Sequence, residues 1–310
     1  MTKRLSVLFL ICLGLLWSAL AKAAGTVHIT TWNMQWLSSV PSKQIVESQR
    51  QTEDVAKMAF YFQQTQADIL AFQEVNDIKA IQQIVGTNYH VRLSDRASPP
   101  FRRHQFDDIN QYTGFAIKKG IPFEDPQDIA LDTQANSKLR FASYVIIKQA
   151  PYADIHLLNV HLKAGCSGAF KATDSCQTLK RQGKQLAKWI KEREVQKQNY
   201  VILGDFNHNL AYAGDWLYEI LAQSGQFRLA SQHSEALCQV RSKKQPSKTH
   251  RFRSLIDHIL VSHSLSASEA KQTLFDSLDV LRFQLSDHCP LSSTLTLLTT
   301  QNRRGPVGPR

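Results

Sequence analysis

Tyr200-Val201-Ile202-Leu203-Gly204-Asp205-Phe206-Asn207 sets an apolar run against an abrupt polar end. A short continuous apolar run fits a strand covered on both faces. The run stops at Gly204, and an acid and an amide follow within three residues. In open α/β sheets, ligands bind outside the carboxyl ends of strands, so a strand that ends this way is a candidate wall of a site. Taken alone, a strand-end Asp or Asn is usually a turn former.

The pattern recurs along the chain. Thr31-Trp32-Asn33, Phe72-Gln73-Glu74-Val75, Asn159-Val160-His161, Ile256-Asp257-His258 and Leu285-Ser286-Asp287-His288 each carry an apolar stretch into acids, amides or imidazoles. A lone His161 would fit as a satisfied structural residue, and Asp257 as a strand-edge charge. Six such ends with no other common purpose suggest one converging site.

The stretches between them alternate in character. Val27–Trp32, Asp68–Val75, Gly114–Lys118, Arg140–Lys148, Asp154–His161, Ser254–Ser262 and Leu291–Leu298 read as strands. Helical spacing predicts helices over Ser42–Gln66, with Val46, Val55, Met58, Ala59 and Phe62 on one side, and over Asn76–Val85, 176–195 and Asp215–Ala222. Residues 94–111, with Pro99-Pro100 and Arg102-Arg103-His104, form a polar loop of a length that is often functional. No repeat or linker divides the chain, so one α/β domain over residues 24–298 is the economical reading.

The ends of the chain read differently. Lys3 and Arg4 precede an almost unbroken apolar run from Leu5 to Leu20, followed by Ala21-Lys22-Ala23. A basic start, a short apolar middle and an A-x-A site describe a secretory signal peptide over residues 1–23. The run is about 16 residues, short of the roughly 20 that a spanning helix needs. The mature protein is therefore expected in the periplasm or outside the cell, soluble, without stable membrane association and as a monomer. The tail over residues 299–310, with Arg303, Arg304, Pro306 and Pro309, is expected to be disordered. Loss of Lys3, Arg4 and Lys22 with the leader lowers the formal charge from +11 to +8. A basic surface raises the local concentration of polyanions.

Four cysteines remain after the leader, an even count in an oxidising compartment. Cys166–Cys176 would close a short local loop, and Cys238–Cys289 follows by elimination, unless Cys289, beside His288, stays a buried thiol. No C-x-x-C pair exists to seed a zinc site.

The six motifs, in this order from Thr31 to Leu291, resemble those of the endonuclease/exonuclease/phosphatase superfamily, the deoxyribonuclease I-like fold. Gly204-Asp205-Phe206-Asn207 and Ser286-Asp287-His288-Cys289-Pro290 are the most specific of them; Trp32-Asn33 alone is weak. The resemblance implies a four-layer α-β-β-α sandwich, two facing sheets with helices outside and the site in a cleft at one edge. It also implies hydrolysis of a phosphate ester with Mg²⁺, Mn²⁺ or Ca²⁺.

Carried over motif by motif, the resemblance makes Glu74 the principal metal ligand, with Asn33 beside it and Asp287 reaching either the metal or His288. Hard divalent ions prefer oxygen ligands and keep several waters. Asp205 and Asn207 would orient the attacking water and hold the phosphate. His288, braced by Asp257, would act in proton transfer, and His161 would donate to a non-bridging oxygen. Arg140 is a looser match to a phosphate-binding arginine. The sequence leaves open whether Asp205 or His288 takes the proton, and whether one ion acts or two.

Fold does not settle substrate. Leu255-Ile256-Asp257-His258 stands where inositol-polyphosphate phosphatases of this superfamily show a Trp-Cys-Asp-Arg-like motif, which counts against them. The aromatic pair nearest to a lipid-inserting hairpin, Phe101 and Phe106, lies in a heavily charged segment, which weakens a sphingomyelinase reading. A catalytically silent toxin-like binding protein is disfavoured, because every expected polar position is occupied. Arg241, Lys243, Lys244, Lys248, His250, Arg251 and Arg253 precede the Asp257 strand, and Arg102-Arg103 follow the Glu74 strand. Basic segments bordering a cleft grip a nucleic-acid backbone. The expected function is therefore an exported metal-dependent endonuclease acting on nucleic acid, DNA before RNA.

Overall fold

Alternation along the strands decides how the layers stack. In β9 (Asn199–Asp205), Val201 and Leu203 join one apolar cluster while Tyr200 and Ile202 join another. Successive side chains of a strand point to opposite faces, so a strand apolar at every position must be covered twice.

The computed structural model describes residues 25–297. The predicted leader, residues 1–23, and the predicted tail, residues 299–310, lie outside the described residues. Two seven-stranded sheets carry the fold. The first contains β1 (Thr26–Leu37), β2 (Ile69–Val75), β3 (Tyr89–Leu93) and β4 (Tyr112–Lys118), with β14 (Ser266–Ala267), β15 (Lys271–Gln272) and β16 (Leu291–Thr296) on its far side. The second contains β5 (Phe123–Glu124), β6 (Ile129–Ala130), β7 (Phe141–Ile147), β8 (Ile155–His161), β9, β10 (Phe227–Leu229) and β13 (Asp257–Ser262). A separate hairpin pairs β11 (Gln239–Arg241) with β12 (Thr249–Arg251).

Three buried clusters separate four layers. Ile29, Ile69, Ala71 and Phe115 of the first sheet meet Leu157, Val201, Leu203 and Ile259 of the second. The outer face of the first sheet packs on α1 (Thr52–Gln64) and α2 (Ile78–Val85), and that of the second on α3 (Asp174–Val195) and α4 (Trp216–Ala222). A short α5 (Ser277–Arg282) adds Val280 to the first outer cluster. The expected α-β-β-α sandwich is the fold found.

Side chains that satisfy the free amides at helix starts fix where helices begin. Asp77 accepts from Ala80 N, Thr173 from Cys176 N, and Asp215 from Leu217 N and Tyr218 N. The predicted helix over Ser42–Gln66 is corrected by the same device. Gln51 is extended and forms a reciprocal cap with Asp54, so α1 starts only at Thr52. Val46, expected on its apolar face, sits on a single 3₁₀ turn and is 67% exposed. The predicted loop over residues 94–111 contains two 3₁₀ segments, Asp95–Ala97 and Pro99–His104.

Toward one edge the inner faces turn polar. Gln73 Nε2 donates to Thr31 Oγ1 at 3.0 Å and to Asn159 Oδ1 at 2.6 Å, while Asn159 Nδ2 donates to Phe72 O and Gly114 O at 2.8 and 2.7 Å. All three polar side chains are buried, so their mutual bonding is what makes burial tolerable. Asn159, quoted above within a motif, thus ties the two sheets together directly behind the site.

Candidate active site

Register brings the polar strand ends into rows. His161 pairs with Asp205 across β8 and β9, and Asp205 with Asp257 across β9 and β13. Each lies two residues beyond an inward-facing position, and they are 3%, 1% and 4% exposed. Gly204 permits this row. Its φ is +143°, and a Cβ there would lie 2.0 Å from Val160 O, so only glycine lets β8 and β9 approach.

The facing row comes from the first sheet. Asn33 pairs with Gln73 across β1 and β2. Alternation alone would send Glu74 outward with Phe72, but the pairing with β4 slips between Phe72 and Val75, and Glu74 takes φ +57°. A bulge re-aims one side chain, here into the cleft. Gln35, Trp36 and Asn207 also have positive φ, so four of the seven such non-glycine residues among those described line one cleft. Backbone strain of this kind clusters at functional sites.

The cleft holds about 300 Å³ and is lined by Asn33, Glu74, Arg140, His161, Asp205, Asn207, Asp287 and His288. Asp257 stands behind His288, accepting from its Nδ1 at 2.8 Å. All nine predicted site residues therefore gather in one place. His288 Nε2 lies 3.9 Å from both Asp205 Oδ2 and Asp287 Oδ1, and His161 Nε2 lies 3.6 Å from Glu74 Oε1 and 3.5 Å from Asp205 Oδ2. Asn207 donates to Asp205 through its backbone N–H at 2.7 Å and its Nδ2 at 3.1 Å.

The local fields push the two histidines apart. Burial, then Arg140 and His288, hold His161 well below the usual imidazole range, so it is neutral. Burial also opposes charge on His288, but Asp257, Asp205 and Asp287 outweigh it and raise His288 well above that range. Burial raises Glu74, and it raises Asp205 to about 7. Groups with opposed shifts at one site suit acid and base roles.

The donor chemistry fits a divalent cation. Glu74, Asp205 and Asp287 bring three carboxylates together, and among the described residues only imidazoles stand within 4.0 Å as cationic partners. One of those imidazoles is neutral. Asp205, Asp257 and His288 also place ligand atoms within 4.8 Å of one another. Asp257 Oδ2 is already engaged by His288 Nδ1, however, so this trio reads as a proton relay. Glu74 and Asp287 are the carboxylates more open to the cleft, their side chains less buried than those of Asp205 and Asp257.

Asn33 stands beside Glu74. Its Nδ2 donates to Glu74 Oε1 at 3.2 Å and to Asp205 Oδ2 at 3.0 Å, while its Oδ1 accepts from Gln35 N at 2.9 Å. The amide thus bridges carboxylates, and a ligand role needs it to turn over. Arg140 Nη2 donates to Leu162 O at 2.8 Å, and its Nε is buried with no partner among the described residues. Arg102 and Arg103 do not line the cleft.

Other contributors escaped the sequence reading. Gln35 Oε1 accepts from Asp287 N at 3.0 Å, and Trp36 N donates to Glu74 Oε2 at 3.2 Å. Arg50 donates to Gln284 O and Leu285 O, anchoring the loop that carries Asp287 and His288. None of these shows a motif; a left-handed turn after a strand leaves no mark in composition. Lys243, from the basic stretch already noted, lines the cleft. The disulfides are Cys166–Cys176 and Cys238–Cys289, as expected.

The chain resembles solved structures over most of its length. An endonuclease/exonuclease/phosphatase from Bacteroides vulgatus matches with TM-score 0.61 and 14% identity, over 88% of this chain and 100% of that one. TDP2 from C. elegans matches with TM-score 0.59 and 16% identity, over 89% and 78%. A mannosyl-6-phosphatase from Bacteroides thetaiotaomicron matches with TM-score 0.60 and 14% identity, over 87% and 99%. No curated protein sequence matches. At such identities the structures speak for the fold alone, but the family model for the Endonuclease/Exonuclease/phosphatase family matches residues 30–288. The chain belongs to that family, whose members are hydrolases acting on phosphate esters.

Proposed function

We propose that the protein is an exported, divalent-metal-dependent phosphodiesterase that cleaves nucleic acid, DNA above all, within the strand. The observation that carries this reading is one cleft where Glu74, Asp205 and the Asp257–His288 pair meet a lysine, Lys243, from a basic hairpin. A phosphodiester is anionic and resists attack until its charge is offset, and a cleft holding both machinery and cation supplies that.

Glu74 and Asp287 would hold Mg²⁺, with Asn33 beside them as a further oxygen donor; Mn²⁺ and Ca²⁺ are alternatives. When bound, the ion neutralises phosphate charge and polarises the phosphoryl oxygen. Asp205, steadied by Asn207, positions the attacking water and takes its proton. His288, kept charged by Asp257, gives its Nε2 proton to the leaving oxygen. Neutral His161 donates its Nε2–H to a non-bridging oxygen as charge builds, and Arg140 adds positive potential from behind. The basic hairpin holds the flanking phosphates, which makes affinity salt-dependent.

The test is plasmid nicking by the purified mature protein. Cleavage should need Mg²⁺, vanish in EDTA, and fall by about 10²–10⁴ in Glu74→Gln and His288→Ala. Normal cleavage by both variants would remove the assigned site. A panel of DNA, RNA, sphingomyelin, inositol phosphates and sugar phosphates decides the substrate, and faster turnover of any non-nucleic ester than of DNA would displace the nuclease reading. Export is checked by fractionating cells that express the full chain or one lacking residues 2–23.

A further inference from the structure

The residue after Asn207 is a histidine that none of the six motifs includes. His208 is fully buried, with Nδ1 2.7 Å from Cys166 O and Nε2 2.6 Å from Asp215 Oδ2. A carbonyl and a carboxylate only accept, so both ring nitrogens carry protons and the ring is an imidazolium. Burial opposes that charge, but Asp215 and the Cys166 carbonyl outweigh it and raise the pKa. Asp215 is held in turn, because its Oδ1 caps α4 by accepting from Leu217 N and Tyr218 N at 3.0 and 2.9 Å.

We infer that the buried His208–Asp215 ion pair is a positioning device for the phosphate side of the cleft, fastening the loop whose Leu162 carbonyl holds both Asn207 and Arg140. It rests on the roles proposed above for those two residues, whatever ester is cut. The loop over residues 162–168 leaves β8 after His161, and its Ala164 lines the cleft. Leu162 O accepts from Asn207 Nδ2 at 3.1 Å and from Arg140 Nη2 at 2.8 Å, so one backbone oxygen sets two side chains from distant parts of the chain. Three ties hold this loop to the helices behind it. The Cys166–Cys176 disulfide joins it to α3, Trp216 Nε1 at the start of α4 donates to Gly168 O at 3.0 Å, and His208 donates to Cys166 O. The Trp216 indole also meets the His208 ring edge-on at 5.2 Å. The His208 tie differs from the other two in adjoining Asn207, so it fixes the spacing between Asn207 and the carbonyl to which Asn207 donates. Charge-assisted hydrogen bonds are roughly twice as strong as neutral ones, which suits a tie that must keep this spacing under load. Buried ion pairs contribute little net stability, so geometry is what this one supplies.

The test replaces the pair as a unit, His208→Leu with Asp215→Ser, which leaves neither charge buried and keeps a hydroxyl to cap α4. With Mg²⁺ and bis(p-nitrophenyl) phosphate, this variant should melt near wild type yet lose roughly ten- to a hundred-fold in kcat, with little change in KM. Asp215→Asn, which keeps both cap and shape, should fall between the two, and it carries the same comparisons if the paired substitution does not fold. Asn207→Ala should cost about tenfold or more in wild type and much less in the variant without the pair, because the pair acts through Asn207. An equal cost of Asn207→Ala in both backgrounds, or a loss of kcat only in proportion to the loss of folded protein, would make the pair merely structural and overturn the inference. If wild type hydrolyses no phosphate ester, the proposed function fails, and calorimetric binding of inorganic phosphate with Mg²⁺ decides the pair separately. Weaker binding without the pair would then uphold it, and equal titrations, blank ones included, would overturn it.

Discussion

Asp257 Oδ2 accepts the Nδ1 proton of His288 at 2.8 Å, on the side of the ring away from Asp205. The bond fixes which ring nitrogen faces the cleft and, with the neighbouring carboxylates, raises the His288 pKa against the effect of burial.

Asp257→Asn should therefore lower kcat on DNA by roughly 10²-fold or more while leaving the fold intact. It also moves a titration. Activity that needs protonated His288 is lost on the alkaline side, and removing the carboxylate lowers the His288 pKa, so that limb should shift toward lower pH. A kcat/KM profile against pH checks this. An alkaline limb unmoved by the substitution would show that His288 does not serve as the acid.

Gly204→Ala should abolish folding or destabilise by more than about 3 kcal/mol, because it combines a disallowed φ with a Cβ driven into the Val160 carbonyl. Soluble yield and thermal melts read the effect. A variant melting within a few degrees of wild type would mean that β8 and β9 can part.

Much of this site was legible because strands make polarity conspicuous. Asp205, His161 and Asp257 each break a buried apolar run, and the register aligns them without further help. What stayed hidden depends on backbone shape. Glu74 enters the cleft through a bulge, and Gln35 and Trp36 through left-handed turns, none of which ordinary residues announce. The start of α1 was misplaced because apolar spacing over Ser42–Gln51 mimics a helix that the Gln51–Asp54 cap forbids. Arg102 and Arg103 follow the Glu74 strand, yet they sit on the second 3₁₀ segment, whose Phe101 and His104 rings pack on Phe141, and neither side chain lines the cleft.

His258 supplies a prediction about acid stability. Next to Asp257 in β13 but on the opposite face, it is fully buried, pairs through Nδ1 with Ser231 Oγ at 2.8 Å, and accepts from Leu210 N at 3.2 Å. Burial lowers its pKa from 6.5 to about 3. As pH falls below 6.5 the unfolded chain binds this proton and the folded chain does not, so stability drops until about pH 3. Between pH 8 and 5 the loss from this group is about 2 kcal/mol. His258→Gln, though less stable at pH 8, should lose about that much less on acidification. Urea unfolding at both pH values decides it, and parallel losses in the two proteins would discount His258.

The two disulfides should differ in what they hold. Cys238–Cys289 spans 51 residues and Cys166–Cys176 spans 10. Constraint of the unfolded chain grows with loop length, so removing the first should cost about 4 kcal/mol and the second about 3 kcal/mol. Their effects on function should diverge more. The first bond roots the β11–β12 hairpin beside His288, and Lys243 on that hairpin reaches the cleft. Replacing both of its cysteines by alanine frees the hairpin and should cut polynucleotide affinity by roughly tenfold at physiological salt while flattening its salt dependence. The alanine pair at Cys166 and Cys176 should keep both affinity and salt slope. Urea midpoints give the first comparison and anisotropy titrations at several salt concentrations the second. Identical salt slopes in the two pairs would show that the hairpin grips no phosphate, whatever its charge.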